Sequence, residues 1–137
     1  VPLGYYHVAL RHRNHLGCMT AEALALSSTA TPVDLTEPTV LTWGVNGRRT
    51  VNGRMTLWSG DLVKDGQLKY TGSDNDRDPI LQAIGGTTPT NSVSGYMAVD
   101  LNLNGMVHYT GADNDRDPIL MNIGGTVPSN VLFEQLP

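Results

Sequence analysis

The sequence is poor in several things at once. It has one cysteine, one phenylalanine and two tryptophans in 137 residues, and only 16% of its residues are charged. A lone Cys18 excludes an internal disulfide and any Cys-x-x-Cys metal or redox site, which leaves both oxidising and reducing compartments open. No apolar run approaches the length needed to cross a bilayer. No initiator methionine or leader precedes the opening "VPLGYYHVAL", so the chain is expected to be a processed piece, the C-terminal part of something longer. No nucleophile elbow, P-loop or dinucleotide fingerprint occurs, and the chain is not expected to be an enzyme.

Glycine, by contrast, is abundant at 15 residues, which favours strands, turns and loops over long helices. Charge is divided unevenly. Residues 1–60 hold five arginines against three acids, whereas residues 61–137 hold four bases against ten acids. Nine of the ten aspartates lie between Asp61 and Asp117. Such a surface repels phosphate, so nucleic acid is excluded as its partner, and a hard cation suits it better.

The first half reads as short strands. In "GYYHVALRHRNHL" Tyr6, Val8 and Leu10 alternate with Tyr5, His7, Ala9 and Arg11, the pattern of one half-buried strand with a basic outer face. "MTAEALALSS" fits a strand or a helix, the strand being favoured by the Ser, Thr and Pro that follow. Further short strands are expected at Pro32–Leu35, Leu41–Trp43 and Arg54–Trp58. So few strands do not close a sandwich, so others must lie upstream or come from another chain.

The second half is duplicated. Residues 61–92 align without gaps on residues 100–131, with about two positions in three identical. Within them "YTGSDNDRDPIL" and "YTGADNDRDPIL" differ at one position, Ser73 against Ala112. Each unit is expected to close in a short helix whose apolar stripe is Ile80, Leu81 and Ile84, or Ile119, Leu120 and Ile123. Asp78 and Asp117 fit the helix N-cap, Pro79 and Pro118 the first helical position, and the Gly-Gly pairs the stop. The domain boundary is therefore set between residues 1–58 and 59–137.

Each unit opens on an aspartate-led loop. In "DLNLNGMV", oxygen-bearing side chains fall at loop positions 1, 3 and 5 as Asp100, Asn102 and Asn104, with Gly105 at position 6. Met106 at position 7 supplies a backbone carbonyl. This is the first half of an EF-hand-type calcium loop, in which the glycine allows the sharp turn round the ion. In "DLVKDGQL" the matching donors are Asp61, Asp65 and Gln67, but Val63 at position 3 has no oxygen. The Asp100 loop is therefore expected to hold an ion more completely.

Those loops, with "YYHVALRHRNHLGCMT", "TWGVN" and "WSGDLVKDGQL", resemble the duplicated calcium loops of dockerin-like modules. They are closer still to a C-terminal region of large secreted bacterial proteins. The resemblance covers nearly the whole chain, and its doubled loop is its strongest part. It implies an extracellular or bacterial cell-surface location, an upstream β-sandwich, and two or more calcium ions. The departure from the pattern is at position 12, where a carboxylate should close the loop and Gly72 or Gly111 stands instead. About six extra residues separate the loop from its helix. Either Asp76 and Asp115 or Asp78 and Asp117 fold back to close each site, or the acids of "DNDRD", Asp74, Asp76 and Asp78 with their twins Asp113, Asp115 and Asp117, cup a separate ion. Unscreened, these carboxylates would repel each other, and Arg77 and Arg116 offset only part of that.

Other groupings are weaker. His7 and His15 share a strand face but lie too far apart for one zinc ion, and His12 faces the other way. Cys18 fits a small core residue better than a nucleophile. Trp43, Trp58, Tyr70 and Tyr109 could form a sugar platform, although core packing accounts for the tryptophans. The chain thus reads as mainly β: a sandwich-like, incomplete first part, then a tandem calcium-loop module with two short helices. The expected role is structural: surface attachment, or assembly into a fibre or layer through strand completion by a neighbour. A dockerin-type protein-docking module, or a carbohydrate-binding adhesion module, is the alternative.

Overall fold

The computed structural model describes residues 2–137 and is mainly β, with two short helices. Ten strands occur in chain order: β1 (Gly4–Tyr6), β2 (Ala9–His12), β3 (His15–Met19), β4 (Leu24–Leu26), β5 (Arg49–Val51), β6 (Arg54–Thr56), β7 (Gln67–Lys69), β8 (Ser92–Ser94), β9 (Met106–His108) and β10 (Val131–Phe133). Helix α1 (Arg77–Ala83) lies between β7 and β8, and α2 (Asp117–Asn122) between β9 and β10. Among the described residues every sheet is a two-stranded ribbon: β1 with β4, β2 with β3, β5 with β6, β7 with β10, and β8 with β9.

The chain forms two compact units. Among the described residues, one comprises residues 2–12, 17–58 and 134–137, and the other residues 13–16 and 59–133. The division near residue 58 is where the duplicated half begins, but a short piece of each half belongs with the other unit. Asn14 shows why for residues 13–16. Its carbonyl accepts the Gly60 N–H at 2.8 Å and its Nδ2 donates to the Ala98 carbonyl at 2.8 Å, at the threshold of both aspartate-led loops.

The first unit has little apolar core. Cys18 is fully buried there, and the other buried side chains are polar, among them Thr20 and Arg48. The Arg48 guanidinium donates to the carbonyls of Leu35, Glu37 and Val40, and its Nε to Thr42 Oγ1 at 3.3 Å. One buried cation thus organises the Pro-rich stretch that hydrophobic burial does not.

Several expected strands are shorter or missing here. The opening strand breaks between β1 and β2. There His7 Nδ1 meets the Thr20 carbonyl at 2.8 Å and the Val8 N–H donates to Thr20 Oγ1 at 3.1 Å, so side chains occupy ladder positions. Leu10, placed inward by alternation, is 44% exposed. Pro32–Leu35 is not a strand, because Asp34 Oδ1 accepts the Thr36 N–H at 2.8 Å in a side-chain turn. Leu41–Trp43 is reduced to a single bridge between Thr42 and Thr20. Trp43, expected in the core, is 43% exposed.

The second unit holds the apolar core: Leu68, Tyr70, Ile80, Ile84, Leu101, Val107, Ile119 and Ile123 are all buried. Its repeats interlock. β7 of the first repeat pairs antiparallel with β10, which follows the second helix, and β8, which follows the first helix, pairs with β9 of the second repeat. Helix α1 packs on β9 and α2 on β7, so each helix covers the other repeat's strand. The Thr71 hydroxyl donates to the Pro128 carbonyl and the Thr110 hydroxyl to the Pro89 carbonyl, both at 3.0 Å, which repeats the exchange a third time.

Candidate metal loops

The two loops have nearly the same hydrogen-bond pattern. Asp61 accepts from the backbone N–H of Asp65 and Gly66, at 3.2 and 3.3 Å. Asp100 does the same for Asn104 and Gly105, at 3.2 and 3.0 Å. The position-1 carboxylate therefore gathers the loop round itself. That turn needs Gly66 at φ 75° and Gly105 at φ 81°, a conformation a side chain would disfavour. Asp61 is nearly buried and Asp100 fully so. Burial raises the Asp61 pKa, against the N–H bonds that lower it.

Asp76 and Asp115 fold back onto the loops. Asp76 Oδ1 accepts from Leu62 and Val63 N–H at 2.8 and 3.1 Å, and its Oδ2 from Lys69 N–H at 2.8 Å. Asp115 takes the corresponding bonds from Leu101 at 2.8 Å, Asn102 at 3.4 Å and His108 at 2.8 Å. Both residues are fully buried. Burial pushes the Asp76 carboxyl up to about 6 despite its three N–H partners, with Asp61 adding a smaller upward push. Asp115 is raised for the same reason. Of the carboxylates that could close each loop, these two reach it.

Asp78 and Asp117 do not cap the helices by their carboxylates, as the sequence suggested. The capping side chains are Asn75 and Asn114. Asn75 Oδ1 accepts the N–H of Arg77 and Asp78, and Asn114 Oδ1 that of Asp117 at 3.0 Å. Their amide nitrogens hold Asp78 and Asp117 at 3.0 and 2.8 Å, leaving both acids exposed in the first helical turn. Asp74 and Asp113 are exposed too, each turned out by a backbone φ of 54°. The acids of each "DNDRD" are thus separated by their backbone, one inward and two outward. Arg77 and Arg116 stack over the rings of Tyr70 and Tyr109, 4.5 and 5.1 Å from the centroids. The tyrosines are therefore platforms for arginine.

Among the odd-numbered donor positions the loops differ at 3, 5 and 7. Asn102 Oδ1 accepts the Asn104 N–H at 3.0 Å, and its Nδ2 donates to the Asp113 carbonyl at 2.6 Å. Val63, its twin, does neither. Asn104 Oδ1 accepts the Met106 N–H at 2.8 Å. Its counterpart Asp65 accepts the Gln67 N–H at 3.0 Å and also binds Gln67 Nε2 and the Lys69 ammonium. Sequence reasoning missed Lys69, because an aspartate–lysine spacing of four signals pairing on a helix, whereas this stretch is a turn leading into β7.

As a donor set, each loop offers only oxygen: two inward carboxylates, a side-chain oxygen at position 5, in the second loop also one at position 3, and the position-7 carbonyl. That set fits a hard cation such as calcium and does not suit zinc. Among the described residues no three Asp, Glu, His or Cys side chains converge on one point. A divalent ion would draw the rest of its shell from amide and carbonyl oxygens. No family model, no curated protein and no solved structure matches the chain. No helix among the described residues is long and apolar enough to cross a membrane.

Proposed function

We propose that the chain is a calcium-stabilised extracellular structural module serving surface attachment or assembly. The observation behind this reading is the doubling of one loop architecture, with a gathered Asp61 or Asp100 and a folded-back Asp76 or Asp115. Two inward carboxylates in a loop are of the kind a divalent ion takes, and the loop wraps its own backbone round the position-1 acid. Residues offered to an ion are Asp61, Asp65, Asp76 and the Gln67 carbonyl in the first loop. In the second they are Asp100, Asn102, Asn104, Asp115 and the Met106 carbonyl. Bound calcium would supply charge neutralisation, which releases the desolvation penalty on the buried carboxylates.

The incomplete-sandwich reading belongs to the same proposal. The first unit offers short two-stranded ribbons with exposed Leu3, Tyr5 and Leu41, a surface that strands from a neighbour or from upstream sequence would cover. Dockerin-type docking is the second reading, favoured by Met121, which stands 66% exposed on α2. Sedimentation with and without calcium separates the two: assembly gives calcium-dependent polymers of the chain alone, and docking leaves it monomeric.

The direct test is removal of the ion. Exhaustive chelation should lower the melting temperature by about 10 °C or more, as loss of a tightly held ligand does. Residues 60–125 should become protease-sensitive first. Unchanged melting and unchanged proteolysis would refute the reading.

A further inference from the structure

Lys69 and His108 occupy equivalent places, the last residues of β7 and β9. The Lys69 ammonium lies 2.9 Å from Asp65 Oδ2, and its side chain is only 16% exposed. Gln67 Nε2 donates to the same oxygen at 3.3 Å, while Asp65 Oδ1 is taken by the Gln67 N–H. The position-5 carboxylate of the first loop is thus engaged at both oxygens, one of them by a full positive charge. In the second loop position 5 is the neutral Asn104, position 7 is Met106 with no side-chain donor, and position 3 carries the Asn102 oxygen that Val63 lacks.

We infer that Lys69 is the first loop's own cation, and that the chain takes one divalent ion, in the Asp100 loop, rather than two. This rests on the calcium reading above. A tethered ammonium occupies its carboxylate at high effective concentration, and a divalent ion entering beside it would meet like-charge repulsion in a partly buried place. The duplicated loops are therefore unequal: one fastened from within, the other by an ion from solution.

Calorimetric titration of the chelator-treated full chain with calcium chloride tests this, with circular dichroism checking the fold of each variant. The parent chain and Asp61→Ala should each bind one ion, and Asp100→Ala none. Lys69→Met and Lys69→His should bind two, a doubling of stoichiometry. Two ions in the parent chain, one ion surviving Asp100→Ala, loss of the single ion in Asp61→Ala, or one ion in folded Lys69 variants would each overturn the assignment while leaving the calcium reading standing. If a Lys69 variant fails to fold, the contrast between Asp61→Ala and Asp100→Ala still decides. Absence of binding in every chain would overturn the calcium reading itself, and this assignment with it.

Discussion

Asp76 and Asp115 each satisfy three backbone donors that belong to two different segments, the start of the loop and the end of the following strand. Replacing Asp76 by Ala orphans the N–H groups of Leu62, Val63 and Lys69, so the expected loss is on the order of 2–4 kcal/mol in urea denaturation. Asp74→Asn, at an exposed position whose left-handed backbone asparagine also tolerates, should change stability by less than about 0.5 kcal/mol. The pH dependence follows from the same burial. The carboxyl of Asp76 is raised in the folded state to about 6, above an ordinary unfolded value of about 3.9. Between those values the folded chain holds more protons than the unfolded one, so stability falls as pH rises from about 4 to about 6. Metal-free protein should show that fall, and Asp76→Asn should remove most of it. A metal-free chain whose stability instead rises across that window would contradict the account. Which of Asp74, Asp76 and Asp78 turned inward was not legible, since acids spaced by two look alike along an extended chain. The left-handed backbone at Asp74 breaks that equivalence.

Helices α1 and α2 were legible because their apolar residues keep helical spacing and prolines mark their starts. Their first turns lie further upstream than the prolines suggest. Pro79 is the third residue of α1 and Pro118 the second of α2, positions whose N–H groups have no partner inside the helix in any case. The cap consequently moves to Asn75 and Asn114. Each Asn→Ala change should cost about 1 kcal/mol of stability in urea denaturation, with Asp78→Ala costing less. At the far ends Asn91 and Asn130 donate to the carbonyls of Ile84 and Ile123, at 3.2 and 3.1 Å, finishing both helices alike. The strands of the first half were less legible. Alternation predicts burial only where a second layer exists, and here Thr20 and Arg48 side chains replace ladder bonds with specific polar contacts.

Interlocking of the repeats makes each ribbon of the second unit join the strand before one copy's helix to the strand after the other copy's helix. The register sets Leu132 opposite the fully buried Leu68, so the first loop's strand depends on residues that follow the second helix. Leu132→Pro should therefore accelerate amide hydrogen exchange at Leu68 and Lys69 before it does so at Val107 and His108, because a proline removes a ladder donor and disrupts that pairing alone. Equal acceleration at both strands would mean that the two ribbons open as one.

The sequence by itself determined the duplication, the aspartate-led loops with their glycine turns, the two short helices and the uneven charge, because each is written in residues close together in the chain. Only the tertiary structure decided that Asp76 and Asp115 close back on the loops and that each helix packs on the other repeat's strand. Those outcomes depend on pairings between distant segments, where burial and the need to satisfy every buried N–H select one arrangement among several that local pattern allows equally.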